Sequence, residues 1–374
     1  MIKVYLLLLT VLLLKPTTLL SQSSIAPEAF DALAKEINEI VKKTKAVGVS
    51  VAVIHNYEIA WTKGFGVTKV GTKDSITDET IFQAASISKP ITALMVMNKV
   101  QAGKISLTEN VDKQLISWQI PPNDFTGTAF VTVRQLLSHT AGVANSVYHV
   151  AGYRQGDALP NVVESLNGRK PAANDPVKVV MAPGSKFSYS NCGYWILQAL
   201  LEDVDKQAFE NIAEAEVLKP LSMNHSTFRL PSEKTKYGSV AAGHLKENKP
   251  IEDNYYVIRP LSSGGLWSTP TDLARFLIEM QKSRTGESNK IINKDNAVLM
   301  TTPVMAQYGL GFSNEIRGTG VKFFGHDGHN MGYICSMLGS LDGGFGLVIM
   351  TNSENGWKAV NKIKKIIGRK FWGF

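Results

Sequence analysis

The chain has 374 residues, 44% hydrophobic and 19% charged, with a formal charge of +8 and only two cysteines. Those proportions suit a globular protein with a large core, and they exclude a low-complexity or disordered chain and a disulfide-built scaffold. The cations are spread along the chain, which argues against a nucleic-acid partner.

The first 24 residues, "MIKVYLLLLTVLLLKPTTLLSQSS", place one lysine before an apolar run from Val4 to Leu14, followed by Lys15, Pro16 and small polar residues. This order reads as a signal peptide over residues 1–21. The run falls short of the ~20 residues that span a bilayer, so no stable membrane insertion is expected once the leader is gone. A periplasmic or secreted protein follows, with one mature domain over 22–374. Cys192 and Cys335 are expected to be two buried free thiols rather than a bridge.

Next, "EAFDALAKEINEIVKKTK" sets Phe30, Leu33, Ile37 and Ile40 on one helical stripe. "VGVSVAVIHNYEIAWTKGFGV" then carries two strand-like runs around His55-Asn56, a hairpin signal. The middle, about residues 90–280, is helical in pattern and broken by loops such as "NGRKPAANDP". Near the C-terminus, "VKFFGHDGHNMGYICSMLGSLDGGFGLVIMTN" has more strand candidates, with "LDGG" the clearest turn. The last segment, "NGWKAVNKIKKIIGRKFWGF", puts Val360, Ile363 and Ile367 on one helical face opposite a solvated basic face. Strands at both ends and helices between them predict an α+β fold. The sheet lobe would take about 22–85 and 281–374, the helical lobe about 86–280, with the site in the cleft between them.

Three short stretches carry candidate chemistry. In "QAASISKPIT", Ser86 is the only serine followed three positions later by a lysine, Lys89, a spacing that chance would supply about twice in this composition. Pro90 is tolerated only in a first helical turn, so the helix must begin near Ser86. Ser86 would then face the positive end of the helix dipole, with Lys89 one turn along as a base. The competing reading makes Ser86 an N-cap and Lys89 a snorkelling surface cation.

In "APGSKFSYSNCGYWILQALLE", Tyr189 is either a packing residue or a phenol that loses its proton readily beside cations. Asn191 is either a helix cap or an amide that orients a substrate carbonyl. In "FFGHDGHNMGY", His326 sits at a strand end with Gly328 two residues on, which allows close backbone approach to a ligand. His326 and His329 also read as a short metal pair, but no third ligand lies at motif spacing, so no metal or cofactor is expected.

These elements, in this order and with "VTVRQLLSHTAGV", "SYSNCGYWILQALLE" and "SSGGLWSTPTDLARFL", resemble a serine β-lactamase-like hydrolase. That group unites class C β-lactamases, DD-carboxypeptidases, D-aminopeptidases and related esterases. The resemblance runs from about residue 45 to 367 and implies the serine β-lactamase/DD-peptidase-like fold, an antiparallel sheet flanked by N- and C-terminal helices beside a helical lobe.

It further implies that Ser86 attacks a carbonyl to form an acyl-enzyme. Lys89 and Tyr189 would exchange protons with it, and Asn191, His326, Gly328 and His329 would bind substrate. The backbone N–H groups of Ser86 and His329 would form an oxyanion hole. Where class C enzymes have Lys-Thr-Gly, this chain has His326-Asp327-Gly328, and a histidine mostly neutral at pH 7 would hold a β-lactam carboxylate less firmly. The expectation is therefore a serine hydrolase acting on D-amino-acid peptides or small esters. A β-lactamase or penicillin-binding protein is the alternative enzyme, and a catalytically silent scaffold the alternative of another class.

Overall fold

The computed structural model describes residues 25–127, 129–145, 152–231, 238–318 and 320–373, so the predicted leader lies outside the described residues. The strands are β1 (Gly48–His55), β2 (Glu58–Gly66), β3 (Phe82–Gln83), β4 (Trp267–Ser268), β5 (Ser313–Arg317), β6 (Val321–Asn330), β7 (Tyr333–Ser340) and β8 (Gly346–Thr351). The helices that position the site are α1 (Pro27–Thr44), α2 (Ser88–Gln101), α3 (Val133–Leu137), α4 (Val162–Asn167), α5 (Asn191–Asp205), α6 (Phe209–Ala213), α7 (Pro270–Thr285), α8 (Lys294–Thr301) and α9 (Trp357–Ile367).

Six strands form one antiparallel sheet in the order β2-β1-β8-β7-β6-β5, so the first hairpin joins the last three strands through the β1–β8 pairing. The hairpin turn falls at Asn56 and Tyr57, both at positive φ, the geometry a two-residue turn requires. Period-two alternation decides what each face buries. Val49, Val51 and Val53 of β1, with Leu347 and Ile349 of β8, meet Phe30, Leu33 and Ile37 of α1 and Val360 and Ile363 of α9. The intervening Ala52, Ile54, Val348 and Met350 join the opposite, larger core with Leu273, Phe276 and Leu277 of α7. The α1 stripe turns slightly from its expected position: Val41 is buried, whereas Ile40 only flanks the core.

Cys192 and Cys335 are buried thiols that form no disulfide with each other, as expected. α7 starts as its sequence suggests, with the Thr269 hydroxyl accepting from the Asp272 N–H at 3.1 Å and Pro270 in the first turn. No helix among the described residues is long and apolar enough to cross a membrane.

Candidate active site

The turn before α2 is where the chain works against local preference. Ala85 adopts φ 50°, a left-handed conformation that a residue with a Cβ rarely takes. Neighbours hold it there: Ala84 donates its N–H to the Leu266 carbonyl at 2.8 Å, and the Ser88 hydroxyl donates to the Ala85 carbonyl at 2.7 Å. Ser88 in turn accepts from the Leu266 N–H at 3.0 Å. This turn, Ala85–Ile87, presents Ser86 half-buried just ahead of the helix N-terminus, while Lys89 in the first turn is 0% exposed. No side chain caps α2, so the reading of Ser86 as a cap and Lys89 as a surface cation fails.

The Lys89 Nζ lies 2.6 Å from Asn191 Oδ1, 2.8 Å from the Ser263 carbonyl and 3.2 Å from Ser86 Oγ. Burial lowers the pKa of this amine well below its ordinary value. A neutral amine has two N–H groups for the two obligate acceptors and one lone pair left for the serine proton. Tyr189 hydrogen-bonds Ser86, and its ring lies 4.8 Å from the Lys89 nitrogen. Burial raises this phenol's pKa, outweighing the Ser86 hydrogen bond, so Tyr189 stays protonated instead of losing its proton readily. The expectation of a readily ionised phenol assumed a fully charged lysine beside it, and burial of Lys89 disfavours that charge.

Ser190, not Asn191, caps α5, its hydroxyl accepting from the Gly193 N–H at 3.2 Å. Asn191 opens the helix and reaches Lys89. On β6 the two histidines diverge because they are an odd number of residues apart. His326 is 6% exposed, its Nδ1 2.6 Å from the Asp327 carbonyl and its Nε2 3.1 Å from the Tyr308 hydroxyl. His329 points to the rim, with Nε2 2.8 Å from a Glu354 carboxylate oxygen. The rings face opposite sides of the strand and do not converge on one ion.

β5 pairs with β6 only as far as Gly325, so among the described strands the outer edge of residues 326–330 is left to face the Ser86 turn. Gly328 allows this approach, since a Cβ there would lie 2.4 Å from the Ala84 carbonyl oxygen. Gly328→Ala should therefore cost about 1–3 kcal/mol of stability and push the Ser86 turn out of register. The expected result is a lower urea midpoint with at least a tenfold loss of Ser86 labelling rate; unchanged values for both would remove Gly328 from the site.

The cleft beside Ser86 holds about 200 Å³, with walls that include Asn191, Trp195, Arg259, His329 and Asn330. Tyr189 lines a second groove with Asn145, Asp175 and Lys178. His326 stands behind these walls in an aromatic layer with Tyr189 and Tyr308.

Sequence reasoning missed His139, although it lies inside the quoted "VTVRQLLSHTAGV". It is 2% exposed, its ring lies tilted against Tyr189 with centroids 4.3 Å apart, and its Nδ1 accepts from the Ser190 N–H at 3.2 Å. Ser263 and Asn330 beside the serine, and Tyr308 against His326, were missed too, since only the folded chain brings them together.

Burial, then the Lys89 charge, lowers His326 to a pKa of about 4. Burial and Lys89 lower His139 in the same direction. An unfolded histidine titrates near ~6.5, so below that pH the unfolded chain binds a proton that folded His326 refuses. Stability should fall as pH drops from about 6.5 to about 4 and level off below, by roughly 3 kcal/mol for His326. Urea unfolding across this range checks it: His326→Asn should flatten the slope, and an unaltered slope would exclude His326 as its source.

Among known families, the chain matches Beta-lactamase over residues 31–367. Protein flp of Staphylococcus aureus strain N315 is 27% identical over 243 residues, covering 63% of this chain. The chain thus spans under half of that relative's length, 44% of it. The octameric penicillin-binding protein homologue from Pyrococcus abyssi superposes with a TM-score of 0.75 at 27% identity, covering 91% of this chain and 77% of that one. D-amino acid amidase from Ochrobactrum anthropi SV3 gives 0.73 at 20% identity, over 91% of this chain and 99% of the other, a likeness of fold.

Proposed function

The chain belongs to the beta-lactamase family, whose members are serine hydrolases, and from that premise we propose an exported enzyme that cleaves an amide or ester through an acyl-enzyme on Ser86. The observation that carries this reading is the buried Lys89 amine, 3.2 Å from Ser86 Oγ, with its other hydrogen-bonding capacity already committed. Residues 22–374 act as one domain.

Lys89 takes the hydroxyl proton as Oγ bonds to the carbonyl carbon. The oxyanion forms against the backbone N–H groups of Ser86 and His329. The carbon–nitrogen or carbon–oxygen bond then breaks, and the leaving group departs with the Tyr189 proton, which Lys89 replaces. Water attacks the ester, gives its proton back through the same pair and frees Ser86. Asn191 orients the acyl chain, and Gly328 and His329 offer the β6 edge to substrate. His326 acts from behind through the aromatic layer.

D-amino-acid peptides or small esters are the proposed substrates. Neutral His326 replaces the lysine that would hold a β-lactam carboxylate, and the names of similar proteins mention D-amino acid amide and penicillin chemistry. The purified protein should be profiled against D-alanyl peptides, p-nitrophenyl esters and a chromogenic cephalosporin. Turnover of peptide or ester with slow cephalosporin cleavage is expected. Rapid cephalosporin turnover would make it a β-lactamase, and stable acylation without release a penicillin-binding protein. Folded protein that reacts with nothing would be a silent scaffold.

A further inference from the structure

Arg259 lines the same cleft as Ser86, and its role is not explained by the chemistry above. Among the described residues no acidic side chain lines that cleft, and the imidazole of His329 at its rim already faces Glu354. Among the described residues Arg259 has neither an ion pair nor a hydrogen bond, and its Nε–H is buried without an acceptor. A guanidinium that has lost water on one side without gaining an acceptor is unfavourable until an anion arrives.

Tyr153 lines the cleft as well, and a backbone bridge holds it in place: Tyr153 and Val257 exchange N–H···O bonds of 2.8 Å in both directions. Tyr153 therefore sits beside the segment that carries Arg259. Its hydroxyl oxygen accepts from the Ala173 N–H at 3.3 Å, and burial raises its pKa, so its own proton remains available to donate.

We propose that Arg259 and Tyr153 form a carboxylate subsite on the acyl side of the scissile bond, so that the enzyme prefers acyl groups bearing a free carboxylate. The planar guanidinium fork matches a carboxylate bidentately, and the phenol adds a third donor. The inference rests on the hydrolase reading, and its test separates the two.

The test compares the p-nitrophenyl monoester of glutaric acid with the neutral p-nitrophenyl 4-carbamoylbutyrate, both corrected for spontaneous hydrolysis. The wild type should favour the acid by at least about tenfold in kcat/KM. The ratio should fall to about one in Arg259→Gln and to an intermediate value in Tyr153→Phe. A wild-type ratio of one or less, or a ratio that survives Arg259→Gln, overturns the subsite.

Turnover is not needed for the second arm. Calorimetry on the Ser86→Ala protein, with monomethyl glutarate against methyl 4-carbamoylbutyrate, should show about tenfold tighter binding of the acid, lost when Arg259→Gln is added. Equal or absent binding overturns the subsite. Selective binding without any turnover or Ser86 labelling would sink the hydrolase reading and leave the subsite standing.

Discussion

Ser86→Ala should abolish covalent capture of a fluorophosphonate or a labelled penicillin and lower hydrolysis by at least about 10⁴-fold, because in the proposed reaction Ser86 Oγ is the attacking atom. The fold should survive. Ser86 is half-buried, and Lys89 keeps its bonds to Asn191 and Ser263 without it, so the thermal midpoint should stay within a few degrees. Intact-mass spectrometry with and without probe reads the result. Labelling that persists in the variant would move the nucleophile elsewhere, and since Ser88 is fully buried and bonded to Ala85, it could not simply take over.

Lys89 is the second large effect, and it separates two roles. If its neutral amine is the base, Lys89→Ala should slow acylation by about 10³-fold or more, and Lys89→Arg should not restore it. Arginine keeps a positive charge and its donors, but its pKa above ~12 leaves no lone pair for a proton. Rescue by arginine would instead make Lys89 an electrostatic support. The pH dependence has a definite sign. Burial lowers the Lys89 pKa, so the active amine persists to lower pH than an ordinary lysine would allow, and kcat/KM falls as pH drops through that lowered value. Stopped-flow acylation across pH reads this; a profile that rises as pH falls would contradict it.

Much of the frame was legible because short-range rules govern it. Pro90 dates the start of α2 to within two residues of Ser86, and the alternation in β1 and β8 sorts their side chains between two cores. The glycine of His326-Asp327-Gly328 marked a close approach, and the partner it approaches is the Ala84 carbonyl. His139 went unread because a histidine in the turn after a short helix looks the same in sequence whether it faces solvent or lies against Tyr189. The metal reading of His326 and His329 was open in the sequence and closed by strand geometry, which sends the two rings to opposite faces.

Charge state was the least legible property. The sequence by itself determined which residue types are present, their spacing and the elements they sit on, since those depend on neighbours a few residues away. The tertiary structure decided that burial lowers the pKa values of Lys89 and His326 and raises that of Tyr189, and that Arg259 faces the cleft without a partner among the described residues. Desolvation depends on every atom packed around a group, and for these groups the packing comes from segments that are distant in the sequence and meet only in the folded chain.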